Sequence, residues 1–94
     1  MNKLKREDNK LYKITRPQAI ERDSPHGYPE CVLCGSNSPT DVHHIISRAQ
    51  GGKSELNNLA TLCRSCHNAA HGVKAKEIRE KLLEIIRERM NMND

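Results

Sequence analysis

This sequence predicts a small α+β domain stapled by a four-cysteine zinc site, with a short helix before it and an amphipathic helix after it. Three observations lead there. Two Cys-x-x-Cys pairs, Cys31/Cys34 and Cys63/Cys66, stand 28 residues apart. Between them lies a short stretch of strand-like alternation, Asp41 to Ile46. Beyond them, Ile78, Leu82, Ile85, Ile86 and Met90 repeat at helical spacing among Lys, Arg and Glu.

The cysteines come first because the rest of the composition needs them. The chain has 94 residues, no Trp, no Phe and two Tyr. A chain this short buries only about 60% of its unfolded surface, so one marginal domain is expected. Its core must come from Ile, Leu, Val and Ala. Four thiolates are a tetrahedral donor set for zinc. Structural zinc supplies roughly 10–16 kcal/mol of binding free energy, comparable to the whole net stability of a domain. The N-terminus has charge but no apolar signal region, and no apolar run reaches the length of a membrane span. A cytoplasmic setting with reduced thiols is expected, which favours zinc over disulfides.

The elements follow in order. Residues 1–14 are polar and read as a basic, flexible arm. Thr15 to Arg22 predicts a short helix, capped by Thr15 with Pro17 in its first turn. Asp23 to Pro29 is rich in breakers and predicts a loop that carries His26, read as an ordinary surface histidine. Cys31 to Gly35 is a knuckle, where Gly35 permits the tight turn. Asp41 to Ile46 predicts a strand with Val42, His44 and Ile46 on one face. Gly51-Gly52 breaks the chain. Leu56 to Leu62 leads back into the second knuckle. Residues 63–71 predict a helix closed by Gly72, and residues 75–90 predict the last helix, packed on the core.

The net charge is +4, and residues 1–22 carry seven Lys/Arg against three Asp/Glu, so the excess is local. A local basic segment suits a polyanion such as nucleic acid; a solvated tail explains it equally well.

Four of the five histidines form two groups. His67 and His71 are spaced i, i+4 and share a helix face, a spacing that suits two ligands of one ion. His43 and His44 are adjacent on the strand and should point to opposite sides, so they should do different work. One can join His67 and His71 on a metal. The other can face substrate as a base near neutrality. A zinc-finger role for His67 and His71 competes with this, but four cysteines already fill one tetrahedral ion.

Taken together, Cys31-x-x-Cys34-Gly35, Asp41-Val42-His43-His44-Ile45, Gly51-Gly52, Asn58-Leu59 and Leu62-Cys63-x-x-Cys66-His67-x-x-x-His71-Gly72 resemble an HNH endonuclease, over roughly residues 16–72. The resemblance implies a ββα-metal unit: a hairpin and a helix with a catalytic ion between them. It implies that His44 is the general base and that His43, His67 and His71 hold the catalytic ion. It implies that Asn58 either braces the loop of His44 or ligates the ion, bracing being preferred. Arg48 stands where a basic residue is common. Arg16, Arg48, Lys53 and Arg64 are the candidate phosphate contacts. Ser47 replaces a frequent Pro and Ala70 a frequent Lys.

The function so implied is metal-dependent hydrolysis of DNA phosphodiesters, nicking or cutting both strands, to give a 3′-hydroxyl and a 5′-phosphate. The expected cofactors are one structural Zn²⁺ and a catalytic Mg²⁺, Mn²⁺, Ni²⁺ or Zn²⁺. The expected partner is DNA, with a second copy or a phage packaging (terminase) protein as further candidates and no membrane. Such stand-alone proteins resemble those of phages and bacteria. The competing reading is a non-catalytic zinc module that binds DNA. A zinc-nucleated module docking a protein through residues 75–90 is a further one. A zinc deaminase is excluded, because neither His-x-Glu nor Pro-Cys-x-x-Cys occurs.

Overall fold

The computed structural model describes residues 3–91. Three helices surround one antiparallel hairpin. Helix α1 spans Lys3–Arg22, strand β1 Thr40–His44, strand β2 Leu59–Cys63, helix α2 Arg64–Ala70 and helix α3 Ala75–Asn91. Short 3-10 turns lie at Arg48–Gln50 and Leu56–Asn58. Among the described residues no helix is long and apolar enough to cross a membrane.

Helix α1 corrects the expected N-terminal half. Residues 3–14 are not a flexible arm, and the helix does not begin at Thr15; residues 1–2 lie outside the described residues. Pro17 sits inside the helix. An interior proline costs about 3 kcal/mol, so tertiary contacts must outweigh it. They lie along one face. Asp8, Tyr12, Thr15, Ala19 and Arg22 recur at three- and four-residue steps and meet the hairpin and its loop. Ala19 is fully buried. Thr15 is not a cap: its hydroxyl lies between the carbonyls of Leu11 (3.1 Å) and Ser54 (2.6 Å), and so ties the helix to the loop.

The loop after α1 carries a charge that composition did not reveal. Asp23 is completely buried. Arg22 Nε and Nη2 donate to its two oxygens at 3.0 and 2.9 Å, Arg89 Nη1 at 2.9 Å, and the Thr61 amide at 3.1 Å. One carboxylate thus joins α1, β2 and α3. Arg22 also donates to the carbonyls of Leu56 and Leu59.

Strand β1 pairs with β2 so that His43 faces Ala60 and His44 faces Leu59 across the ladder. All five residues of β2 are buried. The core is aliphatic and thiol-lined: Val32, Ile45, Ala60, Leu62, Leu82 and Ile86 pack with Cys31 and Cys63. Strand β1 is shorter than the expected 41–46. It ends at His44 because the Asn58 side chain takes over both backbone groups of Ile46. Helix α2 stops at Ala70, and Gly72 does not close it with a left-handed cap. Instead the amides of His71 and Gly72 turn back to Asn68 and Ala69 at 3.1 and 3.0 Å.

Candidate metal centres and active site

The four cysteine sulfurs all lie within 4.8 Å of one another. Gly35, at φ +77°, turns the first knuckle, and its amide donates to the Cys31 carbonyl at 2.8 Å. Cys63 ends β2 and caps α2, its sulfur accepting the Cys66 amide at 3.4 Å. Cys34 and Cys63 Sγ are 3.7 Å apart. Four sulfurs on a tetrahedral zinc at about 2.3 Å stand about 3.8 Å from one another. The donor set and its spacing therefore fit one zinc ion. Charge supports this. Burial raises the Cys31 thiol, yet the backbone groups of Cys63, Cys34 and Leu33 outweigh it and hold it down to about 7. Burial and the neighbouring thiols push Cys66 up. Thiols this close resist ionising together, and a divalent cation removes that conflict.

On the other side of α2 three imidazoles converge. His43, His67 and His71 offer ring nitrogens within 4.8 Å of one another. Their ring centroids form a near-regular triangle with sides of 5.1, 5.4 and 4.9 Å. The Nε2 atoms of His67 and His71 are 3.2 Å apart. Two nitrogens on one ion at about 2.05 Å stand about 3.3 Å apart in a tetrahedral arrangement. Asp41, two residues before His43 on the same strand face, meets His67 Nδ1 at 3.3 Å. A carboxylate there fixes the ring and leaves Nε2 as the donor. Burial first, then the nearby His67, His71 and His44, push His43 down to about 4. His43 is therefore neutral near pH 7, as a ligand must be. These three residues fit a divalent transition ion.

His44 leaves the strand in the opposite direction, toward α1. Its Nε2 meets Ser54 Oγ at 2.9 Å and Arg48 Nε at 3.4 Å. Tyr12 lies against the ring at 5.1 Å between centroids. Ser54 in turn is held by Asp8, whose two oxygens accept its amide at 2.7 Å and its hydroxyl at 2.9 Å. Burial and then Arg48 keep His44 below the ordinary histidine range, against the pull of Asp8. Burial works to raise Asp8, but the Ser54 amide and hydroxyl, Arg48 and His44 bring it below the ordinary carboxylate range. His43 and His44 nevertheless open on one cleft of about 420 Å³, shared with His71.

Asn58 is buried and bonds only to backbone: Nδ2 donates to the carbonyls of Ile46 (3.0 Å) and Lys53 (2.8 Å), and Oδ1 accepts the Ile46 amide at 2.9 Å. It closes the loop whose ends carry His44 and Ser54. The four basic residues expected at phosphate are scattered. Arg48 pairs with Asp8 at 3.3 Å and stacks over Tyr12. Arg64 bridges Asp41 at 3.1 Å. Lys53 is exposed beside the Asn58 brace, and Arg16 is exposed one turn beyond Tyr12. His26 stands apart, exposed and paired with Glu30 at 2.6 Å.

Sequence reasoning missed Asp8, Tyr12 and Ser54, which surround His44, and Asp41, which backs His67. Only Asp41 left a signal: strand alternation puts it on the face of His43.

Residues 31–72 match the family model described as HNH endonuclease. Over 43 residues the chain is 40% identical to Anaredoxin of Nostoc sp. (strain PCC 7120), a stretch that takes in 45% of this chain and 57% of that protein. The chain thus spans little more than half the length of the curated relative it matches. The matched segment contains both cysteine pairs, the three converging histidines, His44 and Asn58, and excludes α1 and α3.

Proposed function

We propose, from the HNH endonuclease segment at residues 31–72, that this chain is a metal-dependent nuclease hydrolysing DNA phosphodiester bonds. One observation carries the reading: His43 and His71 of the three-imidazole cluster open on the same cleft as a separately held fourth histidine, His44. A structural fold alone does not require that pairing.

In this reading Cys31, Cys34, Cys63 and Cys66 hold the structural zinc. His43, His67 and His71 hold a second divalent ion, which supplies Lewis-acid stabilisation of charge on the phosphate. His44 is the general base. Ser54 has one hydroxyl proton, and the Asp8 carboxylate is the stronger acceptor for it. A neutral His44 ring has a single lone pair, and that lone pair takes the proton from water. Water oxygen bonds to phosphorus as its proton passes to His44, and the bond from phosphorus to O3′ breaks, O3′ taking a proton from solvent water. The products are a 3′-hydroxyl and a 5′-phosphate. Asn58 acts by holding the loop, not by touching substrate.

Supercoiled plasmid incubated with Mg²⁺, Mn²⁺, Ni²⁺ or Zn²⁺ tests this. Nicked or linear product with ligatable ends is expected, and His44→Ala should abolish it while keeping its zinc. No cleavage with any ion, or full activity in His44→Ala, would sink the reading. A non-catalytic DNA-binding module has one observation in its favour: Tyr12, Ser54 and Arg48 already crowd His44. DNA binding without cleavage would select it. The name of the Nostoc relative has a redox sound, but the 3.7 Å between Cys34 and Cys63 suits an ion, not a disulfide of about 2.05 Å.

A further inference from the structure

Three arginines are half-buried among the described residues: Arg22, Arg79 and Arg89. Two are accounted for, because Arg22 and Arg89 both donate to buried Asp23. Arg48 and Arg64, although exposed, are also paired, to Asp8 and Asp41. Arg79 alone of these has no hydrogen-bond or ion-pair partner among the described residues. The local sequence explains why. On a helix its neighbours at three and four residues are Ala75, Lys76, Leu82 and Leu83, and none is acidic.

Its position gives that lack of a partner a meaning. Arg79 lines the same cleft of about 420 Å³ as His43, His44 and His71. No carboxylate lines that cleft among the described residues, and Arg79 is its one permanently charged side chain. Ala49, Ala70 and Ala75 contribute only methyl groups to the wall and keep it open. A guanidinium drawn partly out of water without an acid beside it is poised for an anion from outside. Its planar fork matches two oxygens of one phosphate.

We propose that Arg79 contacts the phosphodiester in the cleft and is a catalytic residue of this chain, supplied by α3 from outside the HNH segment. The proposal rests on the nuclease reading and sharpens it. The phosphate is gripped from the α3 side; Arg48 is already engaged by Asp8. A lysine would restore the charge but not the fork.

The test uses the zinc-loaded full chain and the variants Arg79→Gln, Arg79→Lys and, as control, exposed Arg87→Gln on the same helix. Three quantities are read: plasmid-nicking kcat and KM with Mn²⁺, the Kd for a labelled duplex with no added Mn²⁺, and Mn²⁺ affinity by calorimetry. Arg79→Gln should lose about 10²–10³-fold in kcat/KM. Its duplex binding should weaken, with a salt dependence shallower by about one phosphate contact. Arg79→Lys should recover binding more than kcat, Mn²⁺ affinity should hold, and Arg87→Gln should match wild type. If wild type cuts and Arg79→Gln cuts and binds equally well, the Arg79 proposal falls and the nuclease reading stands. If wild type binds duplex without cutting, the nuclease reading falls; Arg79 is then judged on binding, and an unchanged Kd overturns it. If wild type does not bind duplex at all, both fall.

Discussion

Replacing Asn58 with Asp changes one atom's chemistry and almost no volume. The consequence can be worked out from three bonds. Asp keeps an acceptor for the Ile46 amide, now at 2.9 Å from Oδ1. It loses both donors, so an oxygen faces the carbonyls of Ile46 and Lys53 where Nδ2 stood at 3.0 and 2.8 Å. Each orphaned carbonyl costs about 1–2 kcal/mol at a site only 8% exposed. The unpaired carboxylate adds a desolvation cost, for a total of about 3–4 kcal/mol. Asn58→Ala, which lets water into the gap, should cost less, about 2 kcal/mol. The penalty depends on pH. The variant's carboxyl is more easily protonated when folded than when unfolded, so its folded pKa is raised. The part of the cost that comes from ionisation is absent below the unfolded value and grows as pH rises from there to the folded one; one carbonyl stays unpaired at any pH, because a protonated carboxyl has a single donor. Stability should therefore partly return between about pH 8 and pH 5.5. The assay is urea unfolding followed by far-UV circular dichroism, at fixed free zinc, with calorimetry of the second ion in parallel. A ligand at this position would instead bind that ion more tightly as Asp. A variant within about 1 kcal/mol of wild type with tighter metal binding would refute the bracing role.

Four further outcomes are expected. Asp23→Ala should cost about 3–5 kcal/mol in thermal or denaturant unfolding, because the Arg22 side chain, only 8% exposed, is left without its anion; a loss under about 1 kcal/mol contradicts this. Gly52→Ala should lower stability by about 1–3 kcal/mol and speed amide exchange in the 46–52 loop, since its Cβ would sit 1.8 Å from the Ile46 carbonyl oxygen; wild-type melting rules that out. Thr61→Val should be neutral or stabilising by up to about 1 kcal/mol, because Thr61 Oγ1 is buried with no partner among the described residues; a clear loss would mean the hydroxyl is satisfied. Asp8→Asn should cost about 1–2 kcal/mol. Its folded pKa is lowered, so that stability is fully present above the unfolded value and is lost only as pH falls through the folded one. Melting should show the same cost at about pH 8 and pH 5.5, and a cost that vanishes at 5.5 would disprove the assignment.

The site was more legible in the sequence than its surroundings. Cys31, Cys34, Cys63, Cys66, His67 and His71 announce themselves because candidate ligands on one knuckle or one helix face need fixed local spacing. His43 and His44 were separable by strand alternation alone. The environment of His44 was not readable. Asp8 and Ser54 are 46 residues apart, and nothing near either marks the contact. Helix α1 was underestimated because Pro17 and a polar composition argue locally against a long helix. Its support comes from Ser54, Leu56 and Leu59, which are remote in the chain. Asp23 reads as a turn residue amid Pro and Gly. Its burial depends on Arg89, 66 positions away. Arg79 looks like any solvated charge on a helix until the cleft beside it is seen.

Cys66 and His67 are consecutive residues, one turned to the sulfur cluster and the other to the imidazole cluster. If each cluster holds an ion, as proposed above, the lack of a spacer between them gives demetallation a direction. A thiol-seeking chelator that strips the sulfur-held ion would release the start of α2, whose first turn is capped by Cys63 sulfur. His67 and His71 would then lose their common bearing. A hard-oxygen chelator that strips only the imidazole-held ion would leave α2 seated and the loss reversible on adding metal back. Which of the two reagents is applied, not its concentration, should decide whether the protein recovers.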